Sequence, residues 1–144
     1  MVTIESVGHV AIRVKDLDAS LAFYADKLGL PEMFRLNRDD RVWLVYLRIT
    51  DDQYLEVFPE GEGDEAPGPM TVGQNHFCLT VADIDKAEAE VVALGIPFSS
   101  PKKQAADGNW QFWIKDPDGN RIEFMQMDPA CKQLQAIRAM AGAG

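Results

Sequence analysis

Polar and apolar residues alternate with a period of two in two short runs, HVAIRV at 9–14 and HFCLTV at 76–81, the pattern of a strand with one buried face. Each run leads through an aspartate able to cap a helix, in Asp16-Leu17-Asp18 and Asp83-Ile84-Asp85, into a stretch of helical period. The first predicted helix, near 18–28, puts Leu21, Tyr24 and Leu28 on one stripe, and the second, near 85–94, uses Ala87, Val91 and Leu94. Gly29 and Gly95 stand in helix-terminating positions, with Pro31 and Pro97 close behind. Three more strand signals complete each half: a weak one near 32–36 or 97–99, then WLVYLRI from Trp43 or WQFWIK from Trp110, then YLEVF or RIEFM. Each half therefore reads βαβββ, and the fold class is α+β.

The two halves are copies of one module. Sliding the chain by 67 residues without gaps aligns His9 with His76, Val14 with Val81, Asp16 with Asp83, Asp18 with Asp85 and Ala22 with Ala89. The same offset aligns Asp40 with Asp107, Trp43 with Trp110, Asp51 with Asp118 and Glu56 with Glu123. Other pairs agree in kind, such as Ile12 with Leu79, Arg48 with Lys115 and Leu55 with Ile122.

A module this small buries too little surface to be comfortable alone, so residues 1–127 are expected to form one domain. Module one spans 5–58, a linker rich in Gly, Pro and acidic residues spans 59–75, and module two spans 76–127. Residues 128–144 predict a C-terminal helix with Leu134, Ile137 and Met140 on one stripe, then a flexible AGAG tail.

At 144 residues, 47% hydrophobic and 26% charged, the composition suits a globular fold and argues against disorder. With 14 basic against 23 acidic side chains the net charge is −9, which disfavours nucleic acid and anionic membranes as partners. The sequence holds no apolar run of the roughly 18 to 20 residues a membrane span needs, and MVTIESVGHV lacks the features of a secretory signal. A cytoplasmic location is expected. Cys78 and Cys131 are too few for a disulfide framework and are expected to stay reduced.

The strand period decides which side chains can share a site. His9, Ala11 and Arg13 face away from Val10, Ile12 and Val14, and Tyr54, Glu56 and Phe58 face away from Leu55 and Val57. In the second copy His76, Cys78 and Thr80, and likewise Arg121, Glu123 and Met125, take the polar side. If a pseudo-twofold relates the modules, both histidines of the chain and two glutamates converge. Two imidazoles and two carboxylates suit a divalent ion such as Zn, Ni, Co, Mn or Fe, and ligand type alone does not choose among these. Singly, each histidine reads equally as a half-buried, hydrogen-bonded strand residue and each glutamate as part of a solvated sheet face. Trp43, Tyr46, Tyr54, Phe58, Trp110 and Phe112 offer either a pocket wall or core packing.

The segments GHVAIRVKDLDASLAFYADKLGL, YLEVF, NHFCLTVADIDKA and KDPDGNRIEF resemble the vicinal oxygen chelate superfamily, and within it the glyoxalase I-like members, over roughly residues 7–126. The resemblance implies paired βαβββ modules forming a cupped mixed sheet around a divalent metal, with ligand positions at His9, Glu56, His76 and Glu123. It also implies a lyase or isomerase that moves a proton between adjacent carbons through an enediolate. Glu123 would be the base, with Glu56 the second candidate. Arg13 falls where the family's glutathione-binding arginine lies, and Tyr54, Phe58 and Arg121 join it as candidate substrate contacts on the ligand-bearing faces. Members of this size commonly form homodimers and act on small molecules. The chain departs from glyoxalase I after Glu56, where VFPEGEG lacks the family's asparagine. TVGQN before His76 lacks its basic residue, and acidic 60–65 would repel glutathione carboxylates, which points away from a glutathione adduct.

Three alternatives share the scaffold. One is an epimerase of the methylmalonyl-CoA type, where the equivalent of Glu56 is commonly glutamine. Another is a ring-cleaving iron dioxygenase, which uses two histidines and one carboxylate. The last is a metal-free binding protein like the bleomycin-resistance members.

Overall fold

The run at 9–14 forms β1 (His9–Arg13), with Ile12 and Val14 buried and His9, Ala11 and Arg13 exposed, in a computed structural model that describes residues 1–142. The chain divides into two compact units, one of residues Met1–Ala66 and one that begins at Pro67.

In the first unit, Asp16 caps α1 (Leu17–Leu21) by accepting from the Ala19 amide at 3.0 Å. The helix then widens into a π-helical segment over Ala22–Lys27, where the Leu28 amide donates to the Phe23 carbonyl at 3.0 Å. This change of winding alters the buried stripe. Ser20, Phe23 and Tyr24 are buried, while Leu21 and Leu28 are only half-buried. Next come β2 (Glu32–Arg38), β3 (Arg41–Arg48) and β4 (Tyr54–Phe58). Asp39 and Asp40, both at positive φ (50° and 59°), make the two-residue turn that joins β2 to β3. The sheet order is β1-β4-β3-β2, with β1 parallel to β4 and the other pairs antiparallel.

The second unit repeats this with β5 (Phe77–Thr80), α2 (Ile84–Ala93), β6 (Phe98–Gln104), β7 (Trp110–Lys115) and β8 (Arg121–Gln126) in the order β5-β8-β7-β6. Asp83 caps α2 by accepting from the Asp85 and Lys86 amides, each at 3.0 Å. A final helix, α3 (Lys132–Ala141), carries the predicted Leu134, Ile137 and Met140 stripe, yet none of its residues is buried. Of the expected AGAG tail, Ala141 ends α3 and Gly142 caps it, whereas the last two residues lie outside the described residues.

Strand pairing preserves the repeat residue by residue. Ala11 pairs with Glu56 and Cys78 with Glu123; Tyr46 pairs with Glu56 and Trp113 with Glu123. Every β1–β4 and β3–β4 pair with a partner in β5, β7 and β8 obeys the offset of 67. The offset slips to 66 only from Gly29/Gly95 to Phe34/Ser100, because the π segment holds one residue more than the α-helical second copy. A register shift between Ser100 and Lys103 returns the missing residue to the second copy. The core side of each sheet is apolar. Leu55 and Ile122, at equivalent positions, are wholly buried, and truncating either to alanine should cost about 2–5 kcal/mol. Among the described residues no helix is long and apolar enough to cross a membrane.

Candidate metal centre

In the first unit the parallel β1–β4 ladder sets His9 beside Tyr54 and Ala11 beside Glu56. His9 Nε2 lies 3.5 Å from Glu56 Oε2, and its ring stacks on Tyr54 at 5.2 Å. Glu56 is half-buried and faces Tyr46 on β3, whose hydroxyl bonds the carboxylate. Burial first, then the bond to Glu56 and its negative charge, raise the Tyr46 pKa above the ordinary phenol value, so this hydroxyl stays a donor.

The second unit builds the same pair more tightly. His76 Nε2 lies 3.1 Å from Glu123 Oε2, and Glu123 is 8% exposed. The His76 ring meets Trp113 edge-on at 4.5 Å. Asn75 Oδ1 sits 2.9 Å from His76 Nδ1 and accepts from Arg121 Nη1 at 2.8 Å, while Asn75 Nδ2 donates to the Pro69 carbonyl at 2.9 Å. With the amide oriented in this way, only a protonated Nδ1 can bond its oxygen. Nδ1 of His76 therefore carries a hydrogen, and Nε2 is the ring nitrogen that faces Glu123. With the Gln111 amide turned so that its nitrogen faces the carboxylate, it donates to Glu123 Oε1 and accepts from Trp113 Nε1 at 3.2 Å.

Within each unit, one imidazole nitrogen lies beside one carboxylate on the polar side of its strands. Among the described residues no group of three or more His, Cys, Asp and Glu side chains gathers as a complete metal site. The donor chemistry fits a first-row divalent ion in halves: each unit sets an imidazole nitrogen beside a carboxylate that has no Lys or Arg ion pair among the described residues, and in the second unit the other ring nitrogen is tied to Asn75. Cys78, opposite Glu123, is an exposed residue whose sulfur is partly desolvated; that desolvation first, then the neighbouring carboxylate, push the thiol up to about 12.

The predicted substrate contacts lie on these faces. Arg13 stacks over Phe58 at 5.3 Å and donates to the Pro59 carbonyl at 3.0 Å; Tyr54 and Phe58 flank Glu56 on β4. Arg121 lies over the Trp113 ring at 4.7 Å. Of the six aromatic candidates, Phe112 is wholly buried in the core, Tyr46, Tyr54 and Phe58 are half-buried, and Trp43 and Trp110 are exposed. Sequence reasoning missed Asn75 and Gln111 as supports. Asn75 could have been found as the polar neighbour of His76, whose counterpart before His9 is Gly8, but Gln111 emerges only from side-chain packing.

Comparison with known proteins agrees with this architecture. The family model "Glyoxalase/Bleomycin resistance protein/Dioxygenase superfamily" matches residues 6–124. The chain is 27% identical to the protein YwkD of Bacillus subtilis, over 85% of this chain and 98% of that one. It is 28% identical to the lactoylglutathione lyase of Pseudomonas putida, over 85% of each. Among solved structures, lactoylglutathione lyase from Agrobacterium tumefaciens superposes with a TM-score of 0.66 at 30% identity, over 85% of this chain and 94% of that one. A glyoxalase family protein from Enterococcus faecalis gives 0.74 at 25% identity, over 84% and 97%. With a family model spanning both βαβββ modules, the chain belongs to the Glyoxalase/Bleomycin resistance protein/Dioxygenase superfamily.

Proposed function

We propose that the protein is a metal-dependent lyase or isomerase of the glyoxalase I-like type, taking a proton from the carbon next to a carbonyl or hydroxyl of a small substrate. His9, Glu56, His76 and Glu123 would hold the ion, with the two half-sites supplied by one chain or by the two chains of a homodimer. When bound, a divalent ion of the Zn, Ni, Co, Mn or Fe type supplies Lewis acidity that lowers the pKa of the neighbouring C–H, an effect worth several kcal/mol of barrier.

The chain's own groups handle the proton. Glu123 is the base: Gln111 holds Oε1 in the turned orientation, so Oε2, on the His76 side, is the oxygen that receives it. Protonated Glu123 then returns the proton to the same or the adjacent carbon. Glu56, held by Tyr46, is the corresponding group of the other half and serves the opposite face of the substrate. Acidic 60–65 and the net charge of −9 favour a substrate other than a glutathione adduct.

The observation that carries the proposal is the recurrence, at one offset and one register, of a histidine nitrogen beside a glutamate oxygen at 3.5 Å and 3.1 Å. The test starts from chelator-treated protein titrated with each ion. A hemithioacetal, α-hydroxy ketones and acyl thioesters are then incubated with the loaded protein in deuterium oxide. One ion per two His–Glu pairs, and deuterium entering the carbon next to the carbonyl of one substrate class, is the expected result. Failure of every ion to bind would replace this reading with a metal-free binding protein.

A further inference from the structure

Across the site face of the first unit runs a row in which two arginines bracket two aromatic rings. Arg13 lies over Phe58 at 5.3 Å, Phe58 meets Trp43 edge-on at 6.0 Å, and Arg38 lies over Trp43 at 4.1 Å. A second row beside it stacks Phe34 on Tyr46 at 4.3 Å. The aromatic surface is open: Trp43 is 37% and Phe34 46% exposed. Among the described residues neither Arg13 nor Arg38 forms an ion pair, although acidic residues outnumber basic ones 23 to 14. Arg35, Arg41 and Arg48, by contrast, each reach a carboxylate.

The scaffold does not require this row. At the equivalent positions of the second unit, Thr80 replaces Arg13 and Met125 replaces Phe58 in the same strand register, and Ala105, just past the end of β6, replaces Arg38. Stacking occupies the flat face of a guanidinium and leaves its N–H edge directed outward, the geometry that recognises a carboxylate. Arg13 spends one N–H on the Pro59 carbonyl, which fixes the plane and leaves the others. The net charge of −9 limits the attraction to an anion of low charge.

We propose that this face binds a flat aromatic monocarboxylate, its ring lying against Trp43, Phe58 and Phe34 and its carboxylate taken by Arg13 or Arg38. This names the substrate class for the reading above and rests on that reading's claim that the His9–Glu56 face receives substrate, but the binding itself needs no ion.

The probes are 2-naphthoate, its neutral counterpart 2-naphthalenemethanol and the saturated acid cyclohexanecarboxylate, titrated calorimetrically into full-length protein freed of metal by chelator. Naphthoate should bind about tenfold or more tighter than either control. Arg13→Gln or Arg38→Gln should remove most of the advantage over the alcohol, and Trp43→Leu most of that over the saturated acid, with circular dichroism verifying that each variant is folded. Naphthoate binding within about twofold of the alcohol, or unaltered by both arginine variants, would overturn the assignment. Metal titration of the same preparation separates the two ideas. Ion binding without naphthoate preference defeats only the ligand class, and naphthoate binding without ion uptake defeats only the enzyme reading.

Discussion

Tyr46 stands directly across the β3–β4 ladder from Glu56 and bonds its carboxylate, and Trp113 stands at the same place across from Glu123. The Trp113 indole N–H is instead taken by the Gln111 side chain, two residues earlier on β7, and in that turned orientation the contact to Glu123 comes from Gln111. The position that matches Gln111 in the first unit is Leu44, which is buried. The duplicated glutamates therefore sit in equivalent backbone positions with different hydrogen-bond supports, so their roles need not be symmetric.

Exchanging the supports tests that asymmetry. Gln111→Leu gives the second unit the residue of the first and should lower turnover about tenfold, the worth of one hydrogen bond to a charged group, with little effect on ion binding. Tyr46→Phe should lower it less, about a few-fold, because Glu56 is not the primary base. Equal losses from the two variants would assign both glutamates to proton transfer.

Glu123→Gln should keep the ion and the fold but lose proton exchange by about 10²–10⁴-fold, the usual share of a positioned base. Glu56→Gln should lose less. Solvent deuterium uptake measured at saturating ion separates the two, and exchange at the normal rate in the Glu123 variant would remove that residue from the mechanism.

Asn75 makes a prediction that needs no substrate. It ties His76 Nδ1 and also holds Arg121, whereas His9 follows Gly8 and, among the described residues, has its approach to Glu56 and its stacking on Tyr54 but no such tie. Asn75→Ala should weaken ion affinity by about 10–100-fold. Asn75→Asp, which keeps the acceptor, should restore most of it. Affinities measured by competition with a chelating dye would show this, and an unchanged affinity in the alanine variant would mean that the Asn75 contact does not serve the ion.

Much of this was legible in the chain because a strand's period of two survives duplication. His9, Glu56, His76 and Glu123 could be assigned to one side of their strands from alternation alone, and Asp16 and Asp83 were recognisable caps. The π segment was not. A single extra residue in a six-residue stretch leaves a pattern that Leu21, Tyr24 and Leu28 satisfy as an α-helix, and only the choice of Phe23 and Ser20 for burial reveals the wider turn. Alternation also predicts exposure for Glu123, yet the packing of His76, Gln111 and Cys78 around it leaves it buried. Such supports come from neighbouring strands, where only the pairing register says which residues meet.

Two glycines separate backbone demand from packing. Gly95 ends α2 at φ +66° with open space where a Cβ would stand, so Gly95→Ala tests left-handed strain alone and should cost about 1–2 kcal/mol. Gly68 has equally open space without a positive φ, and Gly68→Ala should be neutral or slightly stabilising by restricting the unfolded chain. Urea unfolding of both variants gives the comparison, and equal stability would show that the turn at Gly95 relaxes freely.

The attachment of α3 should depend on acid. The Asp107 carboxylate accepts from Gln133 Nε2 at 2.5 Å and from the Asn109 amide at 3.0 Å, while its backbone carbonyl accepts from the Lys132 amide at 2.8 Å. The Gln133 bond first, then the Asn109 amide, hold its pKa below the ordinary value of 3.8. A carboxyl whose pKa falls on folding contributes stability that is complete above the unfolded value and is lost as pH falls through the folded one. The helix should thus stay in place at neutral and mildly acidic pH and loosen only below about pH 4. Asp107→Asn removes one acceptor oxygen, so α3 should be looser already at pH 7 and its acid step should vanish. Amide exchange across Lys132–Ala141 reads both effects, and an acid step that persists in the asparagine variant would place the responsible proton elsewhere.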